Sequence, residues 1–237
     1  KIELVENGGT WTALPRRYRT WFMMRCYQAA NDFTPEDHKE TTDFIPSNNS
    51  RLTILNRLKK QPDHLAKETL RLHDDDDQDL MDDFIKVQKE NETARYRIIG
   101  VTLETRPDWL SYDEILHLRK MGCTKLEIGV QSINEAVLKF NNRGHGMKAV
   151  EEATQNLRDA GFKVGYHMMP GMFKATPEAD IEMFKELFSN PAYKPDFLKI
   201  YPCVVVKEAP LYKLWERGEY KPFEGEQLIE VLIDIAK

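Results

Sequence analysis

The chain has 237 residues, 41% of them hydrophobic and 31% charged, which is enough apolar material for one sizeable α/β core. Its net charge of −5 argues against a generally basic nucleic-acid surface, while leaving room for a local basic groove. No apolar run approaches the roughly 20 residues of a membrane span, no signal-peptide pattern opens the chain, and Cys26, Cys123 and Cys203 fit no close-spaced metal motif. They read as reduced thiols of a cytosolic protein.

Lys1 opens directly into a strand pattern, K-I-E-L-V-E-N, in which Ile2, Leu4 and Val5 supply the apolar positions. That strand runs into Asn7-Gly8-Gly9-Thr10, where adjacent glycines let a ligand approach the backbone and expose N–H donors. An ordinary strand-to-helix turn reads the same way. Leu14-Pro15 then opens a helix with Tyr18, Trp21, Phe22, Cys26 and Ala29 at three- and four-residue spacings, a stripe expected to pack in the core.

From about 34 to 92 the sequence changes character and reads as an insertion of weakly amphipathic pieces. Its run D-D-D-D-Q-D, starting at Asp74, lacks the glycine and terminal glutamate of a calcium loop and is expected to be a solvated acidic loop. The α/β rhythm resumes at Arg97. A strand over 98–104 precedes a helix capped by Ser111 with Glu114 three residues on, ending near Gly122. A strand over 125–131 leads to a short helix, the loop Asn141-Asn142-Arg143-Gly144-His145, and a helix over 147–160 closed by Gly161. A strand over 163–169, a helix over 177–188, a strand over 197–205 and further helical segments follow. The chain stops at Lys237 within a helical pattern, so both ends read as cuts in a longer protein.

Alternating strands and helices at this spacing imply a parallel sheet with right-handed crossovers. A partial (β/α) barrel fits better than a doubly wound sheet, because no G-x-G-x-x-G is present and polar residues recur at successive strand ends. Ligands of such folds sit at those ends. One mouth would then gather Gly8, Gly9 and Thr10, Glu104 and Arg106, Gln131 and Ser132, His167 and Met169, and Lys199 and Tyr201. That set suits a polar, zwitterionic ligand carrying a sugar. Taken singly, His167 reads as a core histidine, Arg106 as a tie to Asp108 and Lys199 as an exposed lysine. Hydrolysis by Glu104 and Glu127 as a carboxylate pair is the rival chemistry. Glu127 starts its strand whereas Glu104 ends its own, which places them in different layers and argues against the pair. Ser132 lacks the G-x-S-x-G context of a nucleophile elbow.

The segments K-I-E-L-V-E-N-G-G-T, G-V-T-L-E-T-R-P-D, G-C-T-K-L-E-I-G-V-Q-S, N-R-G-H, A-G-F-K-V-G-Y-H-M-M-P-G, P-D-F-L-K-I-Y-P and L-Y-K-L-W-E-R-G-E-Y-K-P-F occur in this order. In them the chain resembles the family of the Elongator catalytic subunit, radical S-adenosylmethionine enzymes that modify tRNA uridine. The resemblance covers nearly everything outside 34–92. It implies a partial (β/α)6 barrel, truncated at both ends, that binds S-adenosylmethionine and a [4Fe–4S] cluster and uses acetyl-CoA as co-substrate. A 5′-deoxyadenosyl radical would abstract hydrogen from the acetyl group, and the carbon radical would add to C5 of the wobble uridine, leaving a 5-carboxymethyl group after hydrolysis. By the same resemblance Lys199 and Tyr201 are the catalytic candidates beside the adenosyl group. Gly8, Gly9, Thr10, Glu104, Gln131 and Ser132 are cofactor contacts, joined by His167 from its strand-end place, and Lys1 is the contact to acetyl-CoA. Arg16, Arg17, Arg19 and Arg143 are candidates for tRNA phosphates on charge and position alone.

The family holds its cluster with three closely spaced cysteines before the first strand, and no such triplet occurs in this chain. The cluster segment and the acetyltransferase domain are therefore expected to be absent, and the activity is expected in a full-length parent. Expected partners are tRNA, acetyl-CoA and either Elongator-type subunits or a second copy, in the cytoplasm and away from membranes. Two other readings stay open: a different radical reaction on the same barrel, such as porphyrin oxidation, and a non-catalytic tRNA-binding scaffold.

Overall fold

The structure, a computed structural model, describes residues 1–33 and 76–237. The chain divides into two compact units, Lys1–Glu3 with Ala13–Ile99, and Leu4–Thr12 with Gly100–Lys237.

In the smaller unit, helix α1 (Arg16–Asp32) packs on helix α2 (Gln78–Asn91). Arg17 near the start of α1 meets Asp79 near the start of α2 at 2.6 Å, and Asn91 at the end of α2 donates to Asn31 at the end of α1 at 2.6 Å, so the two run in the same direction. The buried seam is Met23, Met24, Tyr27 and Ala30 against Met81, Phe84 and Val87, with Tyr27 edge-on to Phe84 at 5.3 Å. The aromatic stripe expected in the core sits beside this seam instead: Tyr18, Trp21 and Phe22 are half-buried and Ala29 is exposed. A helix buries one face about 100° wide, and the methionines, which adapt to irregular gaps, occupy it. Of the stretch 34–92, residues 34–75 lie outside those described; 78–91 form the regular helix α2. Asp77, the fourth residue of the D-D-D-D-Q-D run, accepts from the Thr20 hydroxyl. Arg17 is committed to Asp79, whose carboxyl it holds down at about 2, and Arg19 is buried, so neither is presented to an external phosphate.

The sheet has five strands: β1 (Ile2–Val5), β2 (Ile98–Thr105), β3 (Lys125–Gln131), β4 (Lys163–Met168) and β5 (Phe197–Ile200). Their spatial order is their sequence order, and β2 to β5 pair in parallel. Helices α3 (Tyr112–Lys120), α5 (Met147–Asp159) and α6 (Pro177–Ser189) make the crossovers, with the short α4 (Glu135–Phe140) ahead of α5 and α7 (Pro210–Glu216) and α8 (Gly225–Ala236) after β5. A sheet wound in one direction has no point where strand order reverses. It is the arc of a (β/α) barrel and not a doubly wound fold.

Local chemistry sets these boundaries. Ser111 accepts from the Glu114 N–H at 3.2 Å, Asn134 caps α4, and Thr176 followed by Pro177 starts α6. Strand β5 stops at Ile200, short of the expected 205. Tyr201 and Cys203 still donate to Met168 and Pro170, but Pro202 has no N–H to give and the ladder becomes irregular. Alternate residues of each strand point to opposite faces. Val101 and Leu103, Leu126, Ile128 and Val130, and Val164, Tyr166 and Met168 are fully buried in the helical layer, where the Tyr166 hydroxyl meets Thr154 of α5. The other set is polar and faces the inside of the arc.

The loop after β4 is pinned at Gly171. Its N–H donates to Asp180 of α6 at 2.7 Å, and its carbonyl accepts from the Tyr220 hydroxyl at 2.7 Å. Burial pushes the Asp180 carboxyl up to about 6, against the Gly171 hydrogen bond that lowers it. Between its unfolded value of 3.8 and about 6 the folded chain binds the extra proton, so stability falls as pH rises through that window. Asp180→Asn keeps an acceptor for Gly171 and is expected to flatten the slope, raising stability at neutral pH by about 1–3 kcal/mol. Urea unfolding at pH 4 and pH 7 checks this, and equal slopes in the two proteins would refute it.

Candidate active site at the strand ends

The inward side chains of the larger unit form one connected series. It begins where β1 ends, at Gly8, whose φ of +129° is open only to glycine and whose N–H donates to Glu104 Oε2 at 3.1 Å. Glu104 Oε1 lies 3.4 Å from His167 Nδ1, His167 Nε2 lies 2.9 Å from Glu127 Oε2, and Lys199 Nζ donates to the same oxygen at 2.5 Å. Lys125 Nζ is 3.4 Å from the other Glu127 oxygen, and the Tyr201 ring stands edge-on to His167 at 5.3 Å. Each ring nitrogen of His167 faces a carboxylate oxygen, so both contacts are hydrogen bonds only when both nitrogens carry hydrogen.

Strand register explains the gathering. Glu104 pairs with Glu127 across β2 and β3, and His167 with Lys199 across β4 and β5. The two glutamates therefore share a layer, which corrects the sequence expectation. Position along a strand says nothing of layer, because neighbouring barrel strands are staggered. Glu127 can lean toward His167 because its partner on β4 is Gly165, where a Cβ would come within 3.2 Å of Glu127 Cγ. Lys199 and His167 hold the Glu127 carboxyl below the usual range against the burial that raises it. Attraction to Glu127 raises Lys199 against the desolvation that lowers it.

Gln131 closes β3 with φ +69°, and its amide folds back over Gly129 on the same inner face. Gly9 has open space around it, and Thr10 is half-buried. Ser132 turns the other way: its hydroxyl accepts from the Asn134 N–H and contacts Met183 of α6, so it holds the turn into α4. Lys1 is exposed and belongs to the smaller unit. Arg106 ties to Asp108 at 2.7 Å. Two members lie outside the set that the strand-end pattern singles out. The layer argument excludes Glu127, which is the most connected carboxylate of the group. Glu6, also a polar residue at a strand end, has a buried Oε2 with no hydrogen-bond partner among the described residues. Burial, then the nearby Glu104, raises its carboxyl.

The open backbone at Gly9, an orphaned carboxylate oxygen on Glu6 and an inward amide on Gln131 together suit a ligand with ammonium, carboxylate and hydroxyl groups. The cysteines, by contrast, do not make an iron–sulfur site. Cys123 donates to the Val101 and Lys125 carbonyls and burial pushes its thiol up to about 12, while burial also raises Cys26 and Cys203. Ligation requires thiolates, and the larger unit contains only two cysteines.

Comparison with known families gives the same reading of the fold. Residues 33–187 match the Radical SAM superfamily and 195–237 match the Radical_SAM C-terminal domain. The chain belongs to the radical SAM superfamily. Among curated proteins it is 38% identical to the tRNA uridine(34) acetyltransferase of Methanocaldococcus infernus, over 98% of this chain and 35% of that protein. It is 35% identical to the human Elongator complex protein 3, over 99% of this chain and 35% of that one. Among solved structures, the archaeal Methanocaldococcus infernus Elp3 with an N-terminal deletion superposes with a TM-score of 0.74 at 37% identity, covering 99% of this chain and 44% of that chain. The chain thus spans about a third of the length of these curated relatives. The radical SAM superfamily is one whose members use S-adenosylmethionine. Among the described residues no helix is long and apolar enough to cross a membrane.

Proposed function

We propose that this chain is the cofactor-binding barrel of an enzyme that converts a tRNA wobble uridine to its 5-carboxymethyl form, with acetyl-CoA as carbon donor, in the cytoplasm. The observation that carries the reading is the series Gly8–Glu104–His167–Glu127–Lys199, one residue from each of five successive strand positions, in a chain resembling tRNA uridine(34) acetyltransferases. S-adenosylmethionine, when bound, supplies an adenosyl-centred radical, and the protein's part is to bind, orient and shield. The N–H groups of Gly9 and Thr10 and the carboxylates of Glu6 and Glu104 suit the amino-acid end. Gln131 and His167 suit the sugar, with Lys199 and Tyr201 beside the adenosyl group. Glu127 holds Lys199 and His167 in place. Lys1 is assigned to acetyl-CoA. This chain's cysteines do not fit a cluster, so reduction of the cofactor is assigned to ligands elsewhere in the full-length protein.

The test is direct. The full-length protein, reconstituted with iron and sulfide under anaerobic conditions, is given S-adenosylmethionine, a reductant, acetyl-CoA and unmodified tRNA. Nucleoside mass spectrometry is expected to find 5-carboxymethyluridine together with 5′-deoxyadenosine. Cofactor cleavage without any change in the tRNA would point to a different radical reaction; no cleavage would point to a scaffold.

A further inference from the structure

A cavity of about 570 Å³ opens at the same end of the strands, between the end of α4, the loop after β4 and helix α7. Its floor is apolar: Met169, Met172 and Cys203 belong to a small buried cluster with Val137 and Leu211. Its charged lining is all of one sign. Arg143, Lys213 and Arg217 contribute, and none of the lining residues is acidic, although the chain as a whole carries −5. Arg217 is neutralised by Glu219 at 2.5 Å. Arg143 is not neutralised in that way: its Nε is buried and has no hydrogen-bond partner among the described residues. Asp108 attracts Arg143 while Arg106 repels it, and a buried guanidinium N–H with no acceptor is unfavourable until an anion supplies one. Lys213 is exposed at the rim with no carboxylate partner among the described residues.

Beside these cations the cavity offers a stacking surface. Phe140 is 56% exposed on the wall, held edge-on to Phe173 at 6.2 Å, and Phe173 is in turn edge-on to Tyr220. The wall is rigid, because the Asn141 amide spends both hydrogens on the Val137 and Phe173 carbonyls at 2.8 and 2.9 Å. Asn142, next in sequence and exposed, leaves its amide available to a base edge. An open aromatic face beside unpaired cations is how proteins take hold of single-stranded nucleic acid, with bases stacked and phosphates paired. A volume of this size accepts one such unit.

Resting on the tRNA reading above, we infer that this cavity seats a nucleotide of a single-stranded RNA loop, its phosphate on Arg143 and Lys213 and its base on Phe140. The lack of any carboxylate and the open rim favour a nucleotide within a strand over a closed small-molecule site. Phosphorylated nucleosides also occur in coenzyme A, so the experiment separates the two sources.

Fluorescence anisotropy with an anticodon stem-loop RNA, and calorimetry with acetyl-CoA and with S-adenosylmethionine, are run on the full-length protein and on Phe140→Ala, Lys213→Ala and Arg143→Gln. Phe140→Ala is expected to weaken RNA binding about tenfold, the loss of one stacked base. Lys213→Ala is expected to weaken it and to lower the slope of log K against log salt by about one, as for one phosphate contact. Thermal melting guards against unfolding, and the exposed Phe140 and Lys213 carry the test if Arg143→Gln does not fold. Wild-type binding with unchanged affinity in the Phe140 and Lys213 variants overturns the cavity while leaving the tRNA reading intact. Loss confined to acetyl-CoA or to S-adenosylmethionine also overturns it, and failure of the wild type to bind the RNA overturns both.

Discussion

Lys199→Ala in the full-length protein is expected to reduce S-adenosylmethionine cleavage by about a hundredfold or more, the scale seen when a preorganised charge is removed from a reacting centre. Lys199 makes the shortest contact in the strand-end series, 2.5 Å to Glu127, and its own side chain is 36% exposed at the mouth. Its removal takes away the cation nearest the site and frees Glu127 to turn wholly toward His167. The fold should survive, because a side chain that is already a third in water contributes little net ion-pair stability. Gln131→Ala should act in the same direction, since its amide is folded over Gly129 on the inner face. The measurements are 5′-deoxyadenosine formed per minute and the dissociation constant of the cofactor by calorimetry. Wild-type values in both variants would remove these residues from the site.

Glu127→Ala is expected to do more damage to the fold itself, lowering stability by about 3 kcal/mol. Its side chain is 4% exposed and is the shared partner of His167, Lys199 and Lys125, so alanine would strand buried donors and at least one cation. The figure lies at the low end for a broken buried pair because Lys199 and Lys125 are partly in water. Glu127→Gln keeps the shape and should lose less. Linkage gives a second signature. The folded carboxyl titrates below its ordinary 4.5, so its contribution is present above that value and is lost as pH falls through the lower folded value. Lys199, raised in the fold, contributes below 10.5 and loses that contribution as pH climbs past its folded value. Denaturant unfolding of wild type and Glu127→Gln at pH 3 and pH 7 reads the first effect. A gap between them that does not shrink in acid would show that Glu127 stabilises by packing and not by charge.

Much of this was legible before any coordinates. The caps at Ser111, Asn134 and Thr176 are local hydrogen-bonding devices, and the strands at 125–131 and 163–168 are local alternations of apolar and polar residues; both need only near neighbours. The rule that parallel strands present ligands at their carboxyl ends was enough to single out Gly8, Glu104, Gln131, His167 and Lys199. What stayed hidden depends on register and facing. Ser132 follows Gln131 directly, yet the strand's two-residue period and the turn after it send the hydroxyl to Met183 while the amide stays inside. The buried face of α1 differs from its aromatic stripe because α2, distant in sequence, decides which side is covered. Local patterns along the chain specify the elements, their order and the end of the sheet where chemistry belongs. That Glu104 and Glu127 share a layer, with His167 and Lys199 above them, follows from strand pairing, because stagger between strands is a property of the sheet and is written in no single strand.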